Sequence, residues 1–327
     1  MKKLLFKILK ITLPLLLGFF LIYHSYYQFT DQERDTVYSY LLEADYAWII
    51  LAVIFAFLSH LSRAWRWNYM LETLGTTPKF ITNVMAIGAG YAMNLIIPRS
   101  GEISRAAIIN RSDHIPLDKA IGTIIAERVL DLILLLIITV VAILSVGNTI
   151  LNFFKDRLDS AFAKAELSKI LLYSGVFIVI ILLVVFISKR IRLYHKVKGF
   201  LLGMKEGFMT IWTMKKKWLY FLHTLFIWGM YVLMFYISIF AIPGIATLPV
   251  SAILCAFVAG SFAVAFTNGG FGAYPYFIAQ VLLFFGVSET LGTSFGWILW
   301  LSQTLMILVY GLISLLLLSL KGSVSHK

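Results

Sequence analysis

Apolar runs of roughly twenty residues alternate with short polar segments along almost the whole chain, and a helix needs about that length to cross a hydrocarbon core. The runs at 11–27, Trp48–Trp67, Ala120–Val146, Ile170–Ser188, Trp218–Ala241 and Gly292–Leu320 predict six full transmembrane helices. Two further apolar stretches are interrupted. The first, Phe80 to Pro98, carries Gly88, Gly90 and Asn94 and ends in Pro98-Arg99-Ser100-Gly101, and the segment EISRAAIIN that follows is too short and too charged to span. The second repeats the design as Val250–Phe266, the turn TNGGFGAYP and Tyr276–Phe285. Apolar segments that stop at a Pro/Gly break predict re-entrant hairpins at 80–112 and 250–287. The pattern therefore predicts an all-α polytopic membrane protein with about six full transmembrane helices plus two broken re-entrant hairpins. Residues 1–147 hold two spans, a hairpin and the span 120–146; residues 148–327 hold the same series, ending in the span 292–320. Three full crossings per half make the halves enter from opposite sides, an inverted-topology repeat.

Charge orients this layout. Lys2, Lys3, Lys7 and Lys10 precede the first helix, whereas Asp31, Glu33, Asp35, Glu43 and Asp45 follow it against Arg34 alone. The stretch Lys189–Lys217 is strongly basic with Glu206 as its one acid, and Leu193, Val197, Phe200, Leu201, Met204, Phe208 and Ile211 recur there at helical spacing, which predicts a cytoplasmic amphipathic helix over 191–212. Both termini are placed in the cytoplasm. The first apolar run lacks an A-x-A cleavage site and reads as a retained helix.

Composition narrows the function. With 60% hydrophobic and 13% charged residues, the net charge of +12 belongs to cytoplasmic loops facing anionic lipid rather than to a nucleic-acid surface. No polar gap is long enough for a soluble catalytic domain. Cys255 is the single cysteine and lies in an apolar run, and His60, His114, His195 and His223 lack metal-ligand spacing, so no disulfide, metal or cofactor is expected.

Two constellations carry chemistry. In Glu127-Arg128-Val129-Leu130-Asp131, inside an otherwise apolar span, the two acids are four apart on one helical face and Arg128 precedes Asp131 by three. Each charge there costs about 3 kcal/mol to insert, so the group is expected to be paired and to border a polar cavity open toward the cytoplasm. The series Asn94-x-x-x-Pro98-Arg99-x-Gly101-Glu102-x-x-Arg105 follows the first break. Arg99, Arg105 and Arg128 have the fork geometry that grips a phosphate, with Glu102, Glu127 and Asp131 to hold them or to accept a cationic substituent. The bland reading of both is charge neutralisation near a helix end and a solvated cytoplasmic loop.

These elements, in the order Arg63-x-x-Arg66-Trp67, Asn94-x-x-x-Pro98-x-x-Gly101-Glu102-x-x-Arg105, Glu127-Arg128-x-x-Asp131 and Asn268-Gly269-Gly270-x-Gly272, resemble the flippase-like transmembrane domain of lysylphosphatidylglycerol synthases over nearly the whole chain. Asn268 stands where that family usually has proline. The resemblance implies a stand-alone member without the aminoacyltransferase domain, in the bacterial cytoplasmic membrane. It implies no catalysis but translocation or binding of a phospholipid, anionic or aminoacylated, or of an isoprenoid-linked lipid. The headgroup would meet Asn94, Arg99, Glu102, Arg105, Glu127, Arg128 and Asp131, with Arg63, Arg66, Pro98, Gly101, Asn268, Gly269, Gly270 and Gly272 in support. Two alternatives stand beside it: a membrane accessory or scaffold for a lipid-modifying or glycan-building enzyme and, ranked last, an intramembrane enzyme with Glu127 or Asp131 as general base; the partners expected besides lipid are a second copy of the chain or a lipid-modifying enzyme.

Overall fold

The computed structural model describes residues 2–98, 100–147 and 211–324. These form an all-α protein whose helices in chain order are α1 (Lys2–Gln28), α2 (Asp31–Glu43), α3 (Tyr46–Glu72), α4 (Phe80–Ile96), α5 (Gly101–Asp113), α6 (Leu117–Val146), α7 (Lys217–Ser238), α8 (Val250–Phe266), α9 (Ala273–Leu283) and α10 (Glu289–Val324). Helices α3, α6, α7 with the 3₁₀ turn that extends it to Ala241, and α10 to Leu320 are long and apolar enough to cross a membrane. Helix α1 has 27 residues, about 40 Å of rise. Five of the six predicted spans thus appear as long helices; Ile170–Ser188 and nearly all of the amphipathic segment 191–212 lie outside the described residues. Leu16, Ile50, Leu144, Leu225, Leu305 and Leu316 are among many large apolar side chains that face outward, as lipid contact requires.

One element had no sequence assignment. The acidic segment after α1 is helix α2, whose entry is a capping box: Glu33 N–H donates to Thr30 Oγ1 at 3.3 Å, and Thr30 N–H and O–H both donate to the Glu33 carboxylate at 2.8 Å. Those donors hold the Glu33 carboxyl below its ordinary range. Nothing on α2 is fully buried, which is why hydrophobic periodicity gave no signal there.

Both breaks occur where the sequence puts them. Helix α4 ends at Ile96 because Ile97, which precedes Pro98, is extended (φ −126°, ψ 113°). Asn94 Oδ1 then accepts the Gly101 N–H at 2.7 Å and so caps the start of α5. The returning helix packs so closely that a Cβ on Gly101 would meet the Gly90 carbonyl oxygen and the Asn94 amide. In the second hairpin Gly269, Gly270 and Gly272 have φ of 64°, 80° and 68°, a region side chains rarely adopt. Gly270 N–H donates to Thr267 Oγ1 at 3.1 Å, and the Gly269 carbonyl accepts Trp300 Nε1–H at 2.8 Å.

Helix α10 carries both hairpins. Its Gly292 and Gly296 lie against Ala279 and Pro275 of α9, Trp300 holds the second break, and Tyr310, Gly311 and Ser314 pack on Gly88 and Ala92 of α4. Because Gly88 sits at Ser314 and Ala92 at Gly311, α4 runs antiparallel to α10. Five more residues bring α4 to its break, near the level of residue 306, about 9 Å along α10 from Trp300 at 1.5 Å per residue. The two breaks therefore come to nearly the same depth.

Packing divides into two apolar cores. One contains Ile49, Ala52, Ala56, Leu135, Trp228, Phe235 and Phe295; the other contains Ala64, Trp67, Leu71, Ile109, Ile124, Leu130 and Tyr220. The boundary falls between Ala56 and Ala64 on α3, between Leu130 and Leu135 on α6, and between Tyr220 and Trp228 on α7. Buried polar side chains gather at this boundary: Ser59, His60, Ser62, Arg63, Asp131 and Thr224 lie in these stretches, and Arg66 and Glu127 lie one turn further, at the edge of the second core.

Candidate functional site

Helices α3, α5, α6 and α7 deliver that polar layer. Arg63 and Arg66 are one turn apart on α3, and Glu127 and Asp131 are one turn apart on α6, so facing helices pair carboxylates with guanidiniums. Arg66 Nη1 and Nη2 donate to the two oxygens of Asp131 at 2.7 and 3.2 Å, its Nε donates to Glu127 Oε1 at 3.3 Å, and Arg63 Nη1 donates to Asp131 Oδ2 at 2.8 Å. From α5, Arg105 Nη1 lies 2.8 Å from Glu127 Oε2. Helix α7 completes the ring: Trp228 Nε1–H donates to Asp131 Oδ1 at 3.4 Å, the Thr224 hydroxyl accepts from Arg66 Nη1 at 3.4 Å, and the Tyr231 hydroxyl accepts from Arg63 Nη2 at 3.2 Å. Arg105 stacks its guanidinium 3.6 Å over the Trp67 ring, and the indole N–H of Trp67 is fixed by Thr123 at 2.9 Å. Neighbouring Asn68 and Asn83 join α3 to α4 through their amides.

These charges are closed off. Arg66 is 0% exposed, Glu127 1%, Arg63 3%, Arg105 5% and Asp131 8%. Sharing each carboxylate between two arginines lets the ions leave water, since a buried pair survives only with its remaining donors and acceptors occupied. Asp131 lies about 20 Å along α6 from Asp118, deep within the apolar part of the helix.

Four site expectations are placed differently by the packing. Arg128 forms no ion pair with Asp131: one residue from Glu127 turns it about 100° around α6, where its Nη2 donates to Glu102 Oε1 at 2.9 Å. That pair is 45% and 32% exposed by side chain, whereas Arg105 and Asp131 are buried, so the four do not border one open cavity as expected. Arg63 and Arg66, expected only to support, are the principal partners of Asp131. Asn94, expected at the headgroup, caps the α4–α5 turn instead, at the Gly101 expected to allow that turn. Arg99 lies outside the described residues. At the second break, Asn268 accepts the Phe271 N–H at 3.3 Å through its carbonyl, Gly270 lies against Tyr274, Val264 and Trp300, and Gly272 lies against Gly18.

The sequence expectations give the α7 residues no role and weigh His60 only as a metal ligand. Thr224, Trp228 and Tyr231 recur at i, i+4 and i+7 within an apolar run, which was the available signal. His60, one turn before Arg63, lies among Tyr91, Tyr310 and Tyr231 with ring centroids 4.7, 6.0 and 6.5 Å away. Among the described residues no His/Cys/Asp/Glu group is arranged to hold a metal.

Residues 7–311 match the family described as the lysylphosphatidylglycerol synthase TM region. The chain belongs to this family. A UPF0104 membrane protein of Methanocaldococcus jannaschii is 28% identical over 124 residues, covering 37% of this chain and 36% of that protein, so the likeness spans about a third of the relative's length. No solved structure matches the chain. As a lysylphosphatidylglycerol synthase TM-region protein with several apolar helices, the molecule is a multi-pass membrane protein.

A separate groove of about 240 Å³ lies between α1, α2, α9 and α10, lined by Tyr26, Phe29, Arg34, Tyr38, Tyr276 and Trp297. None of the charged-layer residues borders it.

Proposed function

We propose that this is a flippase-like protein of the bacterial cytoplasmic membrane that binds a lipid headgroup in its charged layer and passes it between leaflets without chemistry on the lipid. The observation that carries the reading is the layer itself: five charged side chains buried where two apolar cores meet, one of them, Arg105, on the returning helix of a broken hairpin. A purely structural core has no reason to take so many charges from water, because apolar residues of similar volume serve packing as well or better. The order span, broken hairpin, span recurs as α3 to α6 and α7 to α10, which supports an inverted repeat in which the hairpins move relative to α10. The lipids concerned are anionic or aminoacylated phospholipids or isoprenoid-linked lipids. Proteoliposomes containing only the purified protein test this: fluorescent phospholipid in the inner leaflet should become reducible from outside far faster than in empty vesicles, and equal rates would refute the reading.

The closed state of the five buried charges favours a second reading, a membrane scaffold for a lipid-modifying enzyme, in which the cluster fixes the helices and moves nothing. Equal rates in that assay would place it first.

Orientation is tested separately. With Cys255 replaced by serine, Asp45→Cys is expected to react with an impermeant maleimide from outside intact cells and Lys216→Cys only after the inner face is exposed. The reverse pattern would overturn the cytoplasmic placement of both termini.

A further inference from the structure

The buried layer holds more positive charge and more donors than it can use. Arg63, Arg66 and Arg105 face only Glu127 and Asp131, and Arg128 with Glu102 is neutral beside them, so one positive charge stays uncompensated among the described residues. It can be located. Asp131 is occupied by Arg63 and Arg66, and Glu127 is shared between Arg66 and Arg105, whose Nε and Nη2 are buried without any hydrogen-bond partner. Arg63 Nε is a buried donor in the same condition, and His60 Nδ1 is buried and unpartnered as well. Three buried oxygens also lack a hydrogen bond, Glu127 Oε2, which lies 2.8 Å from Arg105 Nη1, Asn83 Oδ1 and the Tyr220 hydroxyl, but the last two are neutral and leave the surplus charge unmet. An unpaired guanidinium in an apolar interior is costly, and the Trp67 face offers Arg105 no acceptor in the guanidinium plane.

We propose that the layer is completed by one singly charged phosphodiester, that of an acidic phospholipid, gripped by the Nε/Nη2 edge of Arg105. A phosphodiester brings one negative charge, equal to the surplus, and two unesterified oxygens, equal to the two parallel N–H groups on that edge. It brings acceptors and no donor. A headgroup with an added ammonium fits badly, because both buried carboxylates are taken and three guanidiniums surround the place. The inference rests on the headgroup-binding reading and narrows it: the site selects acidic over zwitterionic and aminoacylated headgroups. Entry lies through the half-exposed Glu102–Arg128 pair, which joins the helix of Arg105 to the helix of Glu127.

The test uses the purified full chain in neutral detergent. Native mass spectrometry and thermal unfolding would follow phosphatidylglycerol, phosphatidylcholine and lysylphosphatidylglycerol, with glycerophosphoglycerol and inorganic phosphate as soluble sources of the same oxygens. One phosphatidylglycerol per chain is expected, held about tenfold or more tighter than either other lipid, because a charge-assisted hydrogen bond lost in a dry site is worth that much. Arg105→Gln is expected to bring the three lipids within about twofold of each other. Arg105→Lys, which keeps the charge but not the paired N–H groups, should keep the order of preference with about tenfold weaker binding, and decides the matter where the glutamine variant does not fold. Equal binding of phosphatidylglycerol and lysylphosphatidylglycerol would overturn the acidic selectivity while leaving headgroup binding intact. Glycerophosphoglycerol or phosphate binding as tightly as the lipid would overturn the lipid source, and no binding of any lipid would sink the headgroup reading as well.

Discussion

Arg66→Ala is expected to destabilise the protein by about 3–5 kcal/mol, the range for removing one partner of a buried ion pair, and to abolish its monodisperse elution from detergent. Arg66 is fully buried and alone bridges both carboxylates, with two bonds to Asp131 and one to Glu127. Its loss leaves Asp131 to Arg63 and Glu127 to Arg105, and opens a void the size of a guanidinium between α3 and α7. The destabilisation should be coupled rather than additive: Arg66→Ala combined with Asp131→Ala should lose less than the two single losses together, since each single variant strands the other's charge. Thermal unfolding of the four proteins measures this, and an Arg66→Ala midpoint equal to wild type would show that the layer contributes nothing to the fold.

Gly101→Ala should cost at least about 1–3 kcal/mol, because the added methyl meets the backbone oxygen of Gly90 and the Asn94 amide that caps α5, and backbone cannot step aside as a flexible side chain can. Gly122→Ala supplies the contrast. A Cβ there meets nothing within 4 Å, the residue is in the interior of α6, and the change should be neutral or stabilise by up to about 1 kcal/mol. Equal midpoints for the two variants would mean that the hairpin does not close as tightly as the Gly90–Gly101 contact requires.

Spans and breaks were readable because length, apolar runs and Pro98 or glycine act locally: α3, α6, α7 and α10 follow hydropathy, and Ile97 is extended because proline follows it. Helix α2 was not, because capping rather than burial forms it. At the site, sequence spacing put Glu127 and Asp131 on one face of α6 correctly, yet assigned Arg128 to them. The true partners, Arg63 and Arg66, lie more than sixty residues earlier, and choosing between them and Arg128 needs the α3–α6 packing that no local spacing encodes. His60 carried no charge or motif to mark it.

The central claim is that the charges move a headgroup rather than merely hold helices. Glu102 and Arg128 separate the two roles, being half exposed and worth little to stability as a pair. The decisive measurement is the rate of fluorescent phosphatidylglycerol transfer in proteoliposomes carrying equal amounts of folded wild-type, Lys119→Ala and Glu102→Ala/Arg128→Ala protein. Wild-type and Lys119→Ala should transfer lipid alike, while the double variant, with an unchanged unfolding midpoint, falls at least about tenfold; wild-type transfer by the double variant would contradict the account.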